Sequence, residues 1–115
     1  MILVRNITRG TVLAETAQVA DSSRTRRTGL LKHTTLPRGE GLWIVPCEAI
    51  HTFGMKFAID VAYLDRKRKI LKVRHSVAPR RISACLRAHS VLELPAGVLE
   101  STGTEAGDVL EFTKV

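Results

Sequence analysis

The chain has 115 residues, 44% hydrophobic, with Trp43, Tyr63, Phe53, Phe57 and Phe112 as its only aromatic side chains, and a formal charge of +7. That size and composition fit one globular domain over residues 1–115 with an aliphatic core, and exclude a disordered chain. No apolar run is long enough to span a bilayer; MILVRNITRG lacks the apolar stretch and cleavage site of a secretory signal, so a cytoplasmic location is expected.

ILVRN and TVLAETAQVA read as two strands separated by a turn at Arg9-Gly10. Asp21, Ser22 and Ser23 offer capping oxygens to a short, exposed helix in SRTRRTGLL, and Gly29 can close it in the left-handed conformation. HTTLPRGEG is loop. LWIV is a short apolar strand that Pro46 ends, and the next strand runs from about Phe57 to Leu64. Asp65 in DRKR can accept from the backbone two residues on, which makes a turn before the returning strand KILKVRH. Pro79 breaks the chain, HSVLEL is another strand stopped by Pro95-Ala96-Gly97, and Gly107-Asp108 turns the chain into VLEFTKV. About seven short strands with frequent turns imply a mainly β fold, a compact jelly-roll-like sandwich or open barrel with one or two short helices.

The charge is unevenly spread. Arg66 to Leu92 holds nine Lys or Arg and no acid, whereas Glu93 to Val115 holds five acids and one Lys. Strand-like residues interrupt the basic block, so a solvated basic face over residues 66–87 is expected rather than a tail. No stacking aromatics or nucleic-acid-binding motif accompany it, which makes nucleic acid the weaker reading of that face.

Within IHTFGMKFAIDVAYLD, His51, Lys56 and Asp60 interrupt a run that otherwise reads as core. A carboxylate at Asp60 loses its hydration on either face of the strand, so it needs compensating donors. Lys56, Arg80, Arg81, His51 and a set of backbone amides are candidates, with Lys56 or the arginines near residue 80 expected. Glu93 alternates with Leu92 and Leu94; the plainer reading is a structural residue facing water on the outside of its sheet, and the alternative is a place in the binding site. Cys47, His51 and Asp60 supply the residue types of a thiol triad, though no nucleophile motif surrounds Cys47. Cys47-x3-His51 and Cys85-x3-His89 could make a Cys2His2 metal set, but residues four apart on a strand are roughly 13 Å apart, so no metal is expected. Reduced thiols are favoured over a disulfide in the expected compartment.

Three segments, RRTGLLKHTTLPRGEGLWI, PCEAIHTFGMKFAIDVAYLD and VLELPAG followed by GTEAGDVLEF, together resemble the family called domain of unknown function 192. The resemblance covers roughly residues 12 to 113, and PCEAIHT resembles one branch of the family. It implies a compact β-rich domain of jelly-roll or sandwich type and brings no established activity, substrate or cofactor. The family's polar positions carry over as His51, Met55, Lys56 and Asp60, with Cys47 from the branch pattern and Glu93 from VLEL. Ala58 stands where the family often has Pro, and Arg68 stands where a turn glycine is usual. The resemblance implies an export signal in many relatives; MILVRNITRG does not read as one, so a different compartment from theirs is expected.

These observations favour a monomeric binding module without cofactor. Its ligand would be a small anion or an acidic protein partner, held by His51, Met55, Lys56, Asp60, Arg80 and Glu93. The alternatives are an enzyme using Cys47, His51 and Asp60, and weak nucleic-acid or acidic-partner binding through the basic face.

Overall fold

The computed structural model describes residues 1–115. Nine strands and two short helices follow one another: β1 Ile2–Asn6, β2 Thr11–Ala20, α1 Ser23–Thr28, β3 Glu40–Ile44, β4 Ala49–His51, β5 Ile59–Leu64, β6 Ile70–Val77, β7 Ile82–Ala84, β8 Ser90–Pro95, α2 Val98–Ser101 and β9 Leu110–Lys114. Seven strands form one curled sheet, a half-barrel in the order β6-β5-β8-β3-β2-β1-β9, and β4 pairs with β7 in a separate ribbon. Every pairing is antiparallel except β2 with β3. The two edge strands approach at one end, where Ile70 N–H donates to Asp108 O and Leu110 N–H to Arg68 O.

The sheet is buried on both faces, which is why every residue of β5 and of β8 is buried. One core contains Val4, Leu64, Ile70, Leu94, Leu99 and Leu110, drawn from both edge strands, and so fills the inside of the curl. The other contains Leu30, Ile44, Ile50, Met55, Val61 and Tyr63, where loops and the β4–β7 ribbon cover the outside. Alternation along β5 sends Ile59, Val61 and Tyr63 outward and Ala62 and Leu64 inward. Asp60 therefore points inward, and Glu93 on β8, opposite Val61 and Leu42, points outward.

Local chemistry explains most of the expected turns. Ser22 and Thr25 form a reciprocal capping box on α1, and Gly29 ends the helix at φ 49°, ψ −128°, a positive-φ geometry outside the left-handed helical region. Asp65 Oδ1 accepts from Lys67 N at 2.8 Å and Lys69 N at 2.9 Å. Arg68 is held at φ 64°, the strained conformation implied by its replacing a turn glycine, at about 1 kcal/mol.

Several expectations need correction. β3 begins at Glu40, inside the segment read as loop, because Gly41 fits a close approach: a Cβ there would lie 3.0 Å from Leu94 Cδ2 and 3.1 Å from Glu93 O. β4, β7 and α2 were not foreseen; three or four residues are too short to show a period. The expected partner of Asp60 is also different. Its Oδ1 accepts from Ser76 N at 2.9 Å, and its Oδ2 from Gly97 N at 3.1 Å and Leu99 N at 2.9 Å. Backbone amides, not Lys56 or an arginine, satisfy it, and Gly97 presents its amide at φ 94°. Asp60 ties β5 to the bulged strand β6 and to the start of α2.

A second buried polar network joins the chain ends. Asn6 Nδ2 donates to Thr104 Oγ1 at 3.0 Å and Asp108 Oδ2 at 2.9 Å, while Arg9 ion-pairs with Asp108 and Glu105. Burial raises the Asp108 carboxyl, but bonds from Arg9, Asn6 and the Glu105 amide outweigh it and hold the group below its usual range.

Candidate functional site

A cleft of about 350 Å³ opens on the outer face of the sheet, between α1, the Pro46–His51 segment and β8. Leu30, Ile44, Ile50 and Met55 give it an apolar part, and Arg26, Arg27 and His51 line it as well. α1 buries none of its own residues, so its last-turn arginines are not anchored in the core. Exposed Leu31 also lines the cleft, and beyond it the surface carries exposed Phe53, whose ring centroid lies 5.9 Å from that of His51. His51 pairs across the ribbon with Ile82, itself 71% exposed.

Glu93 belongs to this cleft, contrary to the expectation that it faces water. It is 4% exposed, and its side chain has no ion pair within the chain. Burial alone pushes its carboxyl up from 4.5 to about 7. Near neutral pH this group can therefore be a hydrogen-bond donor as well as an acceptor. Alternation in VLELP does put Glu93 opposite Leu92 and Leu94; what the sequence did not reveal is that both faces of β8 are covered.

The expected polar cluster is divided by the sheet. Cys47, His51, Met55 and Glu93 line the same cleft. Asp60 lies on the inner face, bonded to three amides. Lys56 and Arg80 are exposed and lie outside the cleft lining, Arg80 at φ 66° with its amide on Thr52 O. The thiol triad fails on this geometry, because Asp60 is separated from Cys47 and His51 by the sheet. Cys47 is also the wrong kind of thiol for a nucleophile: burial pushes it up and nearby Glu93 raises it further, only partly offset by the Ala49 backbone. Its S–H donates to Ala49 O at 3.2 Å, which favours the neutral thiol. Both cysteines are unbonded, and no three His, Cys, Asp or Glu side chains converge as metal ligands would.

The basic block does not form one uniform face. Arg68 turns away to stack over Phe112 at 4.6 Å and Trp43 at 5.4 Å. Lys72 donates to Ala84 O, Arg74 to Ser83 Oγ and Arg81 to Pro79 O. Arg26 and Arg27, by contrast, were missed as site residues. The only signal was a short helix with paired arginines and no apolar stripe.

Among curated proteins, the chain is 28% identical over 116 aligned positions to a UPF0127 protein of Pyrococcus furiosus, covering 96% of this chain and 97% of that one. It is 34% identical over 101 positions to a UPF0127 protein of Pyrococcus horikoshii, covering 83% and 85%. Among solved structures, a candidate transcription regulator of Sinorhizobium meliloti 1021 matches with a TM-score of 0.85 at 19% identity, over 96% of this chain and 91% of that one. A protein of unknown function from Novosphingobium aromaticivorans matches at 0.82 and 20% identity, over 96% and 82%. These two similarities concern the fold alone. The sequence profile of DUF192, described as Uncharacterized ACR, matches residues 4–112. The chain belongs to the DUF192 family.

Proposed function

We propose that this protein is a binding module whose outer cleft takes a small amphipathic anion. The observation that carries the reading is Glu93, a buried carboxyl without an ion-pair partner in a cleft that it shares with Leu30, Ile44, Ile50 and Met55. Such a group is stable when neutral and is completed by a ligand that accepts its proton in a hydrogen bond. The apolar body of the ligand packs on Leu30, Ile44, Ile50 and Met55, and its anionic end lies near Arg26 and Arg27. His51 and Cys47 border the bound molecule without attacking it. An acidic protein partner that inserts a carboxylate side chain would use the same chemistry. We also assign the chain to the branch marked by Pro46, Cys47, Ile50, His51 and Thr52. That segment supplies one wall of the cleft, and buried Thr52 anchors it through Oγ1 to Ala78 O at 2.7 Å.

Octanoate serves as a probe. Methyl and amide NMR spectra should show saturable shifts confined to Met55, Leu30, Ile50 and the residues around Glu93. Arg26→Ala combined with Arg27→Ala should weaken binding roughly tenfold, as expected for loss of charge-assisted contacts. Shifts scattered over the surface, or none up to millimolar probe, would reject the reading.

A further inference from the structure

We infer that the chain has a second binding site, for a small multiply charged anion such as an oligophosphate, in the open cleft between the β5–β6 turn and the loop entering β8. This cleft is about 770 Å³ and meets the first one at Pro46 and Cys47, which border both. Arg66 and Lys67 stand on one wall and Arg87 and His89 on the other.

Three observations point to a ligand. First, the cations are not ion-paired, and they outnumber the cleft's two acids, Asp65 and Glu48: both ion pairs of the chain belong to Arg9, at the Asn6–Asp108 network, and neither involves Arg66, Lys67 or Arg87. Second, the turn sorts its charges. Arg68 is turned away onto Trp43 and Phe112, whereas its neighbours Arg66 and Lys67 border the cleft. Asp65, the acid in that turn, already accepts two backbone amides through Oδ1. Third, the walls are fixed to one another by backbone bonds: His89 N–H to Leu64 O at 2.8 Å, Cys47 N–H to His89 O at 2.9 Å and Cys85 N–H to Glu48 O at 2.8 Å. The cations are thus presented by a stitched scaffold rather than by independent loops, which lowers the ordering cost of binding.

The shape selects the ligand. A cleft of about 770 Å³ with cations on two walls has the room and the charge for a chain of phosphates, which a single orthophosphate uses only in part. No Phe, Tyr or Trp lines the cleft and His89 is its one aromatic ring, so the extended stacking platform that single-stranded nucleic acid uses is missing. Glu48 and Asp65 both repel an anion, which places the ligand against Arg66 and Lys67 on one side and Arg87 and His89 on the other.

Calorimetric titration of the full chain with inorganic tripolyphosphate at low salt tests this. The expected result is one saturable site, weakened roughly tenfold or more in Arg66→Ala/Lys67→Ala and again in Arg87→Ala. Glu48→Gln should tighten binding, and Arg5→Ala, exposed on β1, should leave it unchanged. Equal loss in Arg5→Ala would reduce the effect to general charge attraction and overturn the proposal. So would unaltered binding in the cleft variants, or a short oligouridylate that binds more tightly than tripolyphosphate through the same residues.

Discussion

Glu93 should govern how stability depends on pH. Its carboxyl moves from 4.5 to about 7 because the folded chain buries it without a partner. Between those values the folded state holds a proton that the unfolded state has released, so stability falls as pH rises. Below about 4.5 both states are protonated and above about 7 both are ionised, so this group adds no slope there. The gap between the two values, at 1.36 kcal/mol per pH unit, comes to about 3 kcal/mol. Glu93→Gln keeps the shape and stays neutral throughout. Urea unfolding of parent and variant from about pH 4 to about pH 8 isolates the effect, because other titrating groups cancel in the difference. The variant should gain about 3 kcal/mol relative to the parent across that range. Parallel stability curves would show Glu93 to be hydrated or paired, and the reading of the cleft would fail with them.

Asp60→Leu leaves the amides of Ser76, Gly97 and Leu99 without acceptor, and should destabilise by about 3 kcal/mol or more in chemical denaturation. Asp60→Asn keeps one acceptor oxygen but turns an amide group toward a donor, and should cost about 2 kcal/mol; a parent-like midpoint for both variants would show the residue solvated. Asp108 is held low, so the stability it adds is present above the ordinary aspartate range and is lost as pH falls through its folded value. Asp108→Asn should accordingly flatten the acid limb of the stability profile, and an unchanged limb would contradict the network. Cys47 should react with iodoacetamide more slowly than a free cysteine at neutral pH, with its pH–rate midpoint displaced upward; fast alkylation would return the thiol to the list of nucleophiles. Gly41→Ala should cost about 1–3 kcal/mol in thermal or urea unfolding, since its Cβ would press on backbone at Glu93 O.

Much of the architecture was legible because it is local. Turn chemistry at Asp65, the capping residues around Ser22 and the runs ILVRN, IDVAYL and SVLELP each carry their own signal, and the strands lie close to where those signals place them. What stayed hidden depends on which faces are covered. The apolar flanks of Asp60 announce burial, but not that its donors come from residues 76, 97 and 99, because hydrogen bonds between distant amides leave no side-chain signature. Glu93 looks like an outward residue of a one-sided sheet and is buried because loops and the β4–β7 ribbon cover the outside. Cys47 and Asp60 are thirteen positions apart and share no face, so proximity in sequence misled the triad. Asn6 and Asp108 are 102 positions apart and share one network, which only the meeting of the chain ends creates.

The most direct test of the account is a carbon-detected NMR titration of the Glu93 carboxyl, with and without octanoate. The free protein should give a midpoint near 7. An anion bound beside the carboxyl disfavours its ionisation, so octanoate should move the midpoint upward. A midpoint near 4.5, or one that saturating octanoate leaves in place, would contradict the claim that Glu93 is the group that meets the ligand.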